Sequence, residues 1–425
     1  MKTPQRASAM ANKASPKFCL KFRVNFCLNF CLVLGGTFWG LPPLAKAESQ
    51  IYGTMDLALN GVSHQGAVVG LSKATAHDVG LLSGGLSPSR LGFKGQELWG
   101  GGWSAVFTLE SGFNAANGKA PNGRITVSDP PSAPFDGKLF AREANVGLKN
   151  AIWGEVRLGL QANPMAMALS QFDVNSGFMD PLAFNGGYAG GDFTSESRWE
   201  NSVNYTLAPH QRLKASVMYR LPDTGTVRQA YAGAVYLDLS PVRLALIGGR
   251  DTDAQLPPMG SFAGFLTVQF ANTKTLGGLA SWDATPALTL KGGWERIMAL
   301  APSPGHFAID ESMNGLSGGA ALGNNNFDDT LPRNENMAWI GAGYLLKPSL
   351  TLNGGFYERT TRLNGPTGSH FDASIAKYYV GEIIERLSKR TDVYFNATFW
   401  HLAGPAWSNA YPNHLSLGVG MRHSF

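Results

Sequence analysis

The chain has 425 residues, 44% hydrophobic and 15% charged, with 35 lysines and arginines against 30 aspartates and glutamates. The formal charge is +5, and 52 glycines accompany only three cysteines. Beyond the N-terminal region there is no run of about eighteen apolar residues, so no helical span is expected there, and no helix of about ten residues stands out, as it would in a soluble enzyme of this length.

Residues 1–47 read as a signal peptide. Lys2, Arg6, Lys13, Lys17, Lys21 and Arg23 precede an apolar run from Phe26 to Leu44, broken at Asn29, and Ala45-Lys46-Ala47 closes it as a cleavage signal. A permanent anchor is the weaker alternative, because the run is short and interrupted. Removing the leader takes away seven basic residues and no acid, leaving 28 against 30 over 378 residues. The basic balance is therefore largely the leader's and gives no reason to expect a nucleic-acid partner. Cys19, Cys27 and Cys31 leave with it, so residues 48–425 are expected to hold neither disulfides nor thiol chemistry.

Period-two alternation then recurs along the chain. Strands are predicted at 51–61, 89–98, 103–113, 139–149, 155–161, 198–207, 212–221, 228–239, 242–251, 273–283, 288–297, 336–346, 350–360, 376–387, 391–402 and 414–425. In the last of these Leu415, Leu417, Val419, Met421 and Phe425 share one face, and Ser416, Gly418, Gly420, Arg422 and Ser424 the other. Each strand is near the ten residues that a tilted spanning strand needs, and the pattern suits an apolar face on lipid and a polar face on a wet lumen. An open sheet edge is not tolerated in hydrocarbon, so the last strand should pair with the first, and Phe425 is expected at that closure.

The connections sort into two kinds. Gly100-Gly101-Gly102, Lys149-Asn150-Ala151, Ala208-Pro209-His210, Ser240-Pro241, Thr285-Pro286, Lys347-Pro348 and Ser388-Lys389-Arg390 are tight turns. The alternate links, such as 62–88, 114–138, 162–197 and 299–335, are long and polar, with 222–227 the short exception. Short turns on one side and long loops on the other are the asymmetry of an outer-membrane barrel. The fold class predicted is an all-β transmembrane antiparallel barrel of about sixteen strands, a size that leaves an aqueous channel; a soluble β-sandwich would not sort its loops this way.

An ordered set of segments carries a resemblance: Ile51-Tyr52-Gly53-Thr54-Met55-Asp56, Ser89-Arg90-Leu91-Gly92-Phe93-Lys94-Gly95-Gln96-Glu97, the glycine-rich Gly100 to Gly112, Phe140-Ala141-Arg142-Glu143-Ala144-Asn145-Val146-Gly147-Leu148, Gly154-Glu155-Val156-Arg157-Leu158-Gly159, Asn201-Ser202-Val203-Asn204-Tyr205-Thr206, Leu387-Ser388-Lys389-Arg390-Thr391-Asp392-Val393-Tyr394, and Gly420-Met421-Arg422-His423-Ser424-Phe425. Together they resemble the general porins of Gram-negative bacteria, of the β-proteobacterial and neisserial type. The resemblance implies a homotrimer in outer-membrane lipid, passive diffusion of small hydrophilic solutes and ions, and a third loop folded into the lumen. It also implies delivery to the barrel-assembly machinery through the C-terminal strand. Where the family usually has Leu-Gly-Arg-Gln, this chain has Leu158-Gly159-Leu160-Gln161, one pore-region arginine fewer.

In such a pore, opposed basic and acidic rows sort ions. Arg90 and Arg142 sit where the family motifs place wall arginines, and Arg157, Arg198 and Arg220 share lumen parity; each is otherwise a solvated lumen residue away from the narrow point. Arg142 shares parity with Val146 and Leu148, which look lipid-facing, so either a bulge intervenes or Glu143 faces in instead. The acidic side is expected from Asp173, Asp180, Asp192 and Glu196 of the third loop. Tyr52, Trp103, Trp199, Tyr219, Trp282, Trp294, Trp339, Tyr344 and Phe425 suit interfacial girdles or trimer packing.

Catalysis finds little support, and neither enzyme activity nor a cofactor is expected. Gly315-Leu316-Ser317-Gly318-Gly319 matches a nucleophile elbow but lies in a Gly/Asn loop rather than between a strand and a helix. Asp310, Glu311, Asp328 and Asp329 lack EF-hand spacing and read as a solvated loop. The eight histidines are scattered, so no metal site is predicted. The alternatives to a general diffusion channel are a substrate-selective channel for an organic anion or sugar and, further off, a barrel adhesin.

Overall fold

The computed structural model describes residues 46–63, 78–119, 139–175, 197–222, 229–256, 269–300, 333–363, 374–404 and 412–425. The strands are β1 (Lys46–Val62), β2 (Asp78–Ser83), β3 (Arg90–Leu98), β4 (Trp103–Gly112), β5 (Glu143–Asn150), β6 (Gly154–Ala162), β7 (Arg198–His210), β8 (Leu213–Arg220) and β9 (Ala230–Leu239). They continue as β10 (Val242–Leu256), β11 (Gln269–Asp283), β12 (Leu288–Leu300), β13 (Arg333–Lys347), β14 (Leu350–Leu363), β15 (Ser374–Arg386), β16 (Thr391–Ala403) and β17 (Asn413–Ser424). One helix, α1 (Pro164–Gln171), follows β6.

β1 pairs antiparallel with both β2 and β3, each strand from β3 on pairs antiparallel with the next, and β17 pairs with β1, so the sheet closes on itself. The seventeen strands make sixteen staves, because β2 and β3 share one: β2 pairs with residues 57–62 of β1 and β3 with residues 46–54. Residues 78–83, expected inside a loop, are therefore the upper half of the second stave.

The break between the halves is filled from inside. Gly84, at φ +92°, turns the chain inward, and its N–H donates to the Asp56 carbonyl at 2.9 Å. The Asp56 carboxylate accepts the backbone N–H groups of Gly85 (3.1 Å), Leu86 (2.9 Å) and Ser87 (2.8 Å), and Tyr394 donates its hydroxyl to the same group at 2.5 Å. Asp56, Leu86, Ala58 and Tyr394 are all buried. A backbone segment that leaves its ladder must find other partners, and one carboxylate supplies three.

At the seam Leu57 faces Met421 and Leu59 faces Val419 on the outer side, with Asp56 beside Arg422 and Asn60 beside Gly418 on the inner side. Beyond β17, Phe425 exchanges both backbone hydrogen bonds with Gly53, at 3.1 and 3.2 Å. A side chain at Gly53 would run into the Phe425 ring. Phe425 thus meets Gly53 by main-chain pairing as well as through its ring.

The outer surface is apolar. Met55, Leu59, Val146, Val217, Leu246, Leu276, Ile340 and Val419 are exposed, and Trp103, Tyr219, Trp282, Trp294, Tyr344 and Phe425 are exposed with them. Three aromatics expected in that girdle turn inward. Tyr52 bonds Glu110, Trp199 is wholly buried, and Trp339 donates to a carbonyl of the inward loop. For Trp199 the reason is a bulge: the β6–β7 register shifts between Gly159 and Gln161, Asn201 takes φ +50°, and the parity of β7 switches there.

Candidate functional site: the basic wall and the inward loop

Glu110, on β4, is the centre of one inner wall. It accepts the Arg142 Nε–H at 2.5 Å and the Tyr52 hydroxyl at 2.8 Å, and Arg90 Nε lies 3.7 Å away. The Arg142 backbone N–H also donates to the Glu110 carbonyl at 3.1 Å. Gly112 leaves the room that the arginine occupies, for an added Cβ would sit 3.2 Å from Arg142 Cδ. Arg198, the first residue of β7, lies within electrostatic reach of Arg142, Glu143, Glu110 and Arg90. Three of the five sequence-chosen arginines, Arg90, Arg142 and Arg198, thus gather around two carboxylates.

The parity conflict at Arg142 dissolves. β5 begins only at Glu143, and residues 139–142 form a turn and bend. Glu143 and Asn145 face in: Asn145 Nδ2 donates to Glu143 at 2.7 Å and Glu143 accepts the Ala162 N–H at 3.2 Å. Val146 faces out, and no bulge is needed, because Arg142 precedes the alternation rather than belonging to it.

Arg157 and Arg220 are held elsewhere. Arg157 pairs with Glu155 and donates to Asn145 Oδ1 at 2.7 Å and Thr108 Oγ1 at 3.1 Å. Arg220 is 3% exposed, pairs with buried Asp251 and stacks over Trp199 at 5.5 Å. Lumen parity places both on the inner face, but Glu155 on Arg157's own strand and Asp251 on β10 tie them into the wall.

Opposite, the third loop enters the barrel. Asn163 caps α1, accepting the Ala166 N–H at 2.9 Å, and Pro164 takes the first helical position. Met165, Ala168 and Leu169, spaced three and four apart, form one buried face continued by Phe172. They pack with Met218, Ala230, Ala232, Ala234, Ala245 and Ile247, the inward residues of β8 to β10. Small side chains on that wall make room for the helix. Gly249 does so as well, since an added Cβ would lie 2.9 Å from Met165 Cε.

The segment after the helix is latched to β12, β13 and β14. Trp339 Nε1–H donates to the Phe172 carbonyl at 3.2 Å, Lys291 Nζ to the Asp173 carbonyl at 2.8 Å, and Tyr357 to Asp173 Oδ1 at 2.5 Å. Asn175 Nδ2 donates to the same Tyr357 oxygen at 2.7 Å. Gly341 and Gly355 form the notch: a Cβ at Gly341 would collide with Val174, and one at Gly355 would lie 2.5 Å from Asn175 Nδ2. Asp173, expected on the acidic side of a constriction, is 4% exposed with its carboxylate against the wall, so it meets Tyr357 rather than open lumen. Asp180, Asp192 and Glu196 lie outside the described residues, as do 310–329 with their acids and elbow-like Gly-Leu-Ser-Gly-Gly.

Sequence reasoning missed Glu110, Tyr357, Trp339, Lys291 and α1. The helix had a readable signal in Asn163-Pro164 followed by Met-Ala-Met-Ala-Leu, a cap, a first-turn proline and strong helix formers. The other four look like ordinary strand residues until their cross-strand neighbours are known.

A closed barrel with an apolar outer belt, a polar inner face and a chain segment folded into the lumen defines a diffusion channel of the outer membrane. The chain belongs to the Gram-negative porin family, whose profile matches residues 37–400. It is 25% identical over 421 residues to an outer membrane porin protein of Bordetella pertussis, covering 91% of this chain and 97% of that one. It is 27% identical over 239 residues to outer membrane porin protein 32 of Delftia acidovorans, covering 52% and 62%. The fold matches the anion-selective porin from Comamonas acidovorans with a TM-score of 0.63 at 19% identity, over 89% of this chain and all of that one. It also matches the trimer form of OmpT from Vibrio cholerae, with a TM-score of 0.60 at 11% identity over 89% and 99%. This protein is an outer-membrane porin with a channel for small hydrophilic solutes, and its relatives are channels rather than enzymes.

Proposed function

We propose that this porin favours anions and that Arg90, Arg142 and Arg198 set the preference. One observation carries the reading: these three cations converge on the inner wall around Glu110 and Glu143, while α1 occupies the lumen on the side of β8 to β10. Fixed guanidinium groups along a narrow aqueous path lower the energy of an anion and raise that of a cation. Asp180, Asp192 and Glu196 remain the candidates for an opposing acidic row. Purified channels in a planar bilayer under a tenfold KCl gradient should reverse at a potential of the chloride sign. Reversal at the potassium sign would overturn the preference, and absence of conductance from folded protein would overturn the channel.

The working form is a homotrimer delivered to the barrel-assembly machinery by its C-terminal strand, with the leader cleaved after Ala47. The main-chain closure through Phe425 supports the C-terminal role, because the last strand must be in place before the sheet has no edge. Cleavage after Ala47 removes only the Lys46–Leu98 and Ala47–Glu97 pairings from the β1–β3 ladder. Sequencing of the mature protein should begin at Glu48. Unheated electrophoresis should give a band at three times the monomer mass.

A further inference from the structure

At the seam, on the inner face, a cavity of about 390 Å³ opens between β1, β3 and the ends of β15 to β17. Arg90, Arg386, Lys389, Arg390 and Arg422 line it, with Asp392 the one carboxylate among them. We propose that this cavity is a binding site for multivalent oxyanions, of the polyphosphate type, at the periplasmic mouth of the pore. The inference rests on the porin reading and adds to it a ligand class and a place.

The geometry favours a ligand with several negative charges. Asp392 holds Arg422 through Nη2 at 2.7 Å and Nε at 3.1 Å and stands 3.8 Å from Arg386. One carboxylate is thus shared between two guanidinium groups, and with Glu110 counted as well, 3.7 Å from Arg90, the five cations keep a formal excess of three charges over these two carboxylates. Lys389 and Arg390 come from the β15–β16 turn, which is fixed by its own hydrogen bonds. Leu387 N–H donates to the Thr391 carbonyl at 2.9 Å, Arg390 N–H to Ser388 Oγ at 3.1 Å, and Ser424 N–H to the Arg390 carbonyl at 2.8 Å. The cations are therefore presented on a built frame rather than on a free loop. Guanidinium forks match the spacing of phosphate oxygens. Coulomb attraction scales with ligand charge, so chloride passes a site that retains a tri- or tetra-anion. Short turns of such barrels lie on the periplasmic side, which gives the site its sidedness.

The test uses the full mature protein in planar bilayers at about 0.1 M KCl, where screening acts over about 10 Å. Orientation is fixed by Gln211→Cys in the β7–β8 turn, labelled from one side with an impermeant maleimide; residues 48–425 contain no other cysteine. Inorganic triphosphate should block current at a concentration about tenfold lower from the turn side than from the loop side, the difference expected if each decade reflects one well-made charge contact. The triple variant Arg386→Gln, Lys389→Gln, Arg390→Gln should lose that sidedness while still conducting KCl, and Asp392→Asn should tighten the block. If the triple variant does not fold, Lys389→Gln alone, on an exposed turn, should weaken the block severalfold. Equal block from both sides, or sided block unchanged in these variants, overturns the site. Channels that conduct KCl yet ignore triphosphate defeat this inference alone, whereas no KCl current defeats it together with the porin reading.

Discussion

Tyr357→Phe tests how the inward loop is held. The hydroxyl donates to Asp173 Oδ1 at 2.5 Å and accepts from Asn175 Nδ2 at 2.7 Å, at a fully buried site. Deleting it removes a donor from a carboxylate and an acceptor from an amide without changing the ring. A hydrogen bond to a charged group is worth about 1.5–3 kcal/mol, so the ratio of undocked to docked loop should rise about 10- to 150-fold. The helix packing, the Trp339 bond and the Lys291 bond remain, so the docked state should still dominate and mean conductance should barely move. What should change is the frequency of brief conductance steps in single-channel records, by at least tenfold. A double-mutant cycle with Asp173→Asn should show a coupling of about 0.5–3 kcal/mol. Step frequency within twofold of wild type, or strict additivity in the cycle, would refute the latch.

Arg90→Ala with Arg142→Ala should shift reversal towards cations. Each charge at about 10 Å in water contributes about 0.4 kcal/mol, favouring chloride and disfavouring potassium alike, so losing the pair should lower the chloride-to-potassium permeability ratio about fifteenfold. Salt-gradient recording checks this, and an unchanged ratio removes both from the narrow zone. Arg220→Met should do the opposite: it breaks a buried pair with Asp251 and should cost about 3–5 kcal/mol of stability with reversal unaltered. Asp56→Ala strands three backbone N–H groups, at about 1–3 kcal/mol for a buried unsatisfied group, and should lower the thermal midpoint of the folded band on gels more than any lumen arginine variant. Gly53→Val, which meets the Phe425 ring, should reduce the yield of folded barrel, measured as the heat-modifiable band.

Most of the wall was legible because one rule governs it. A strand between lipid and lumen must alternate, and each one-residue error would turn every side chain over. The terminal strand shows this directly: Leu415, Leu417, Val419 and Met421 alternate in sequence and are exposed on the outer face. The rule fails where the backbone stops being regular. Unbroken parity through Asn201 puts Trp199 outside, but a bulge there resets the alternation and turns it inward. Residues 78–83 read as loop in sequence because the stave is interrupted at 84–89, and the repair, Asp56 bonding three amides, spans about thirty positions of sequence.

The site was less legible for a different physical reason. Alternation says that an arginine faces the lumen but not whether a neighbouring carboxylate has already claimed it. Arg90, Arg142, Arg157 and Arg220 are equivalent by type, and the neighbours that separate them are Glu110, Glu155 and Asp251. The Glu110 and Asp251 pairings depend on register, which one strand's sequence does not contain, whereas Glu155 stands two positions before Arg157 on the same strand. Asp173 fails in the same way: as a loop acid it suggests hydration, but Tyr357 arrives from more than 180 residues away.

These neighbours also explain how a water-filled pore can be both narrow and stable. Narrowing the lumen requires chain to be packed against the inner wall, and that wall must then give up polar side chains for small or apolar ones along the contact. Ala230, Ala232, Ala234, Ala245 and Gly249 do so under α1, and Gly341 and Gly355 do so under Val174 and Asn175. The wall that receives the loop cannot also supply the charged row, because bulky side chains there would displace the helix. Arg90, Arg142 and Arg198 lie instead along the wall of β3 to β7, where Gly112 gives Arg142 room to lie against Glu110. The division of the lumen into an apolar cradle and a basic wall is therefore a packing requirement before it is an electrostatic one. On the proposed anion preference, charge selectivity would follow from which wall the loop leaves free.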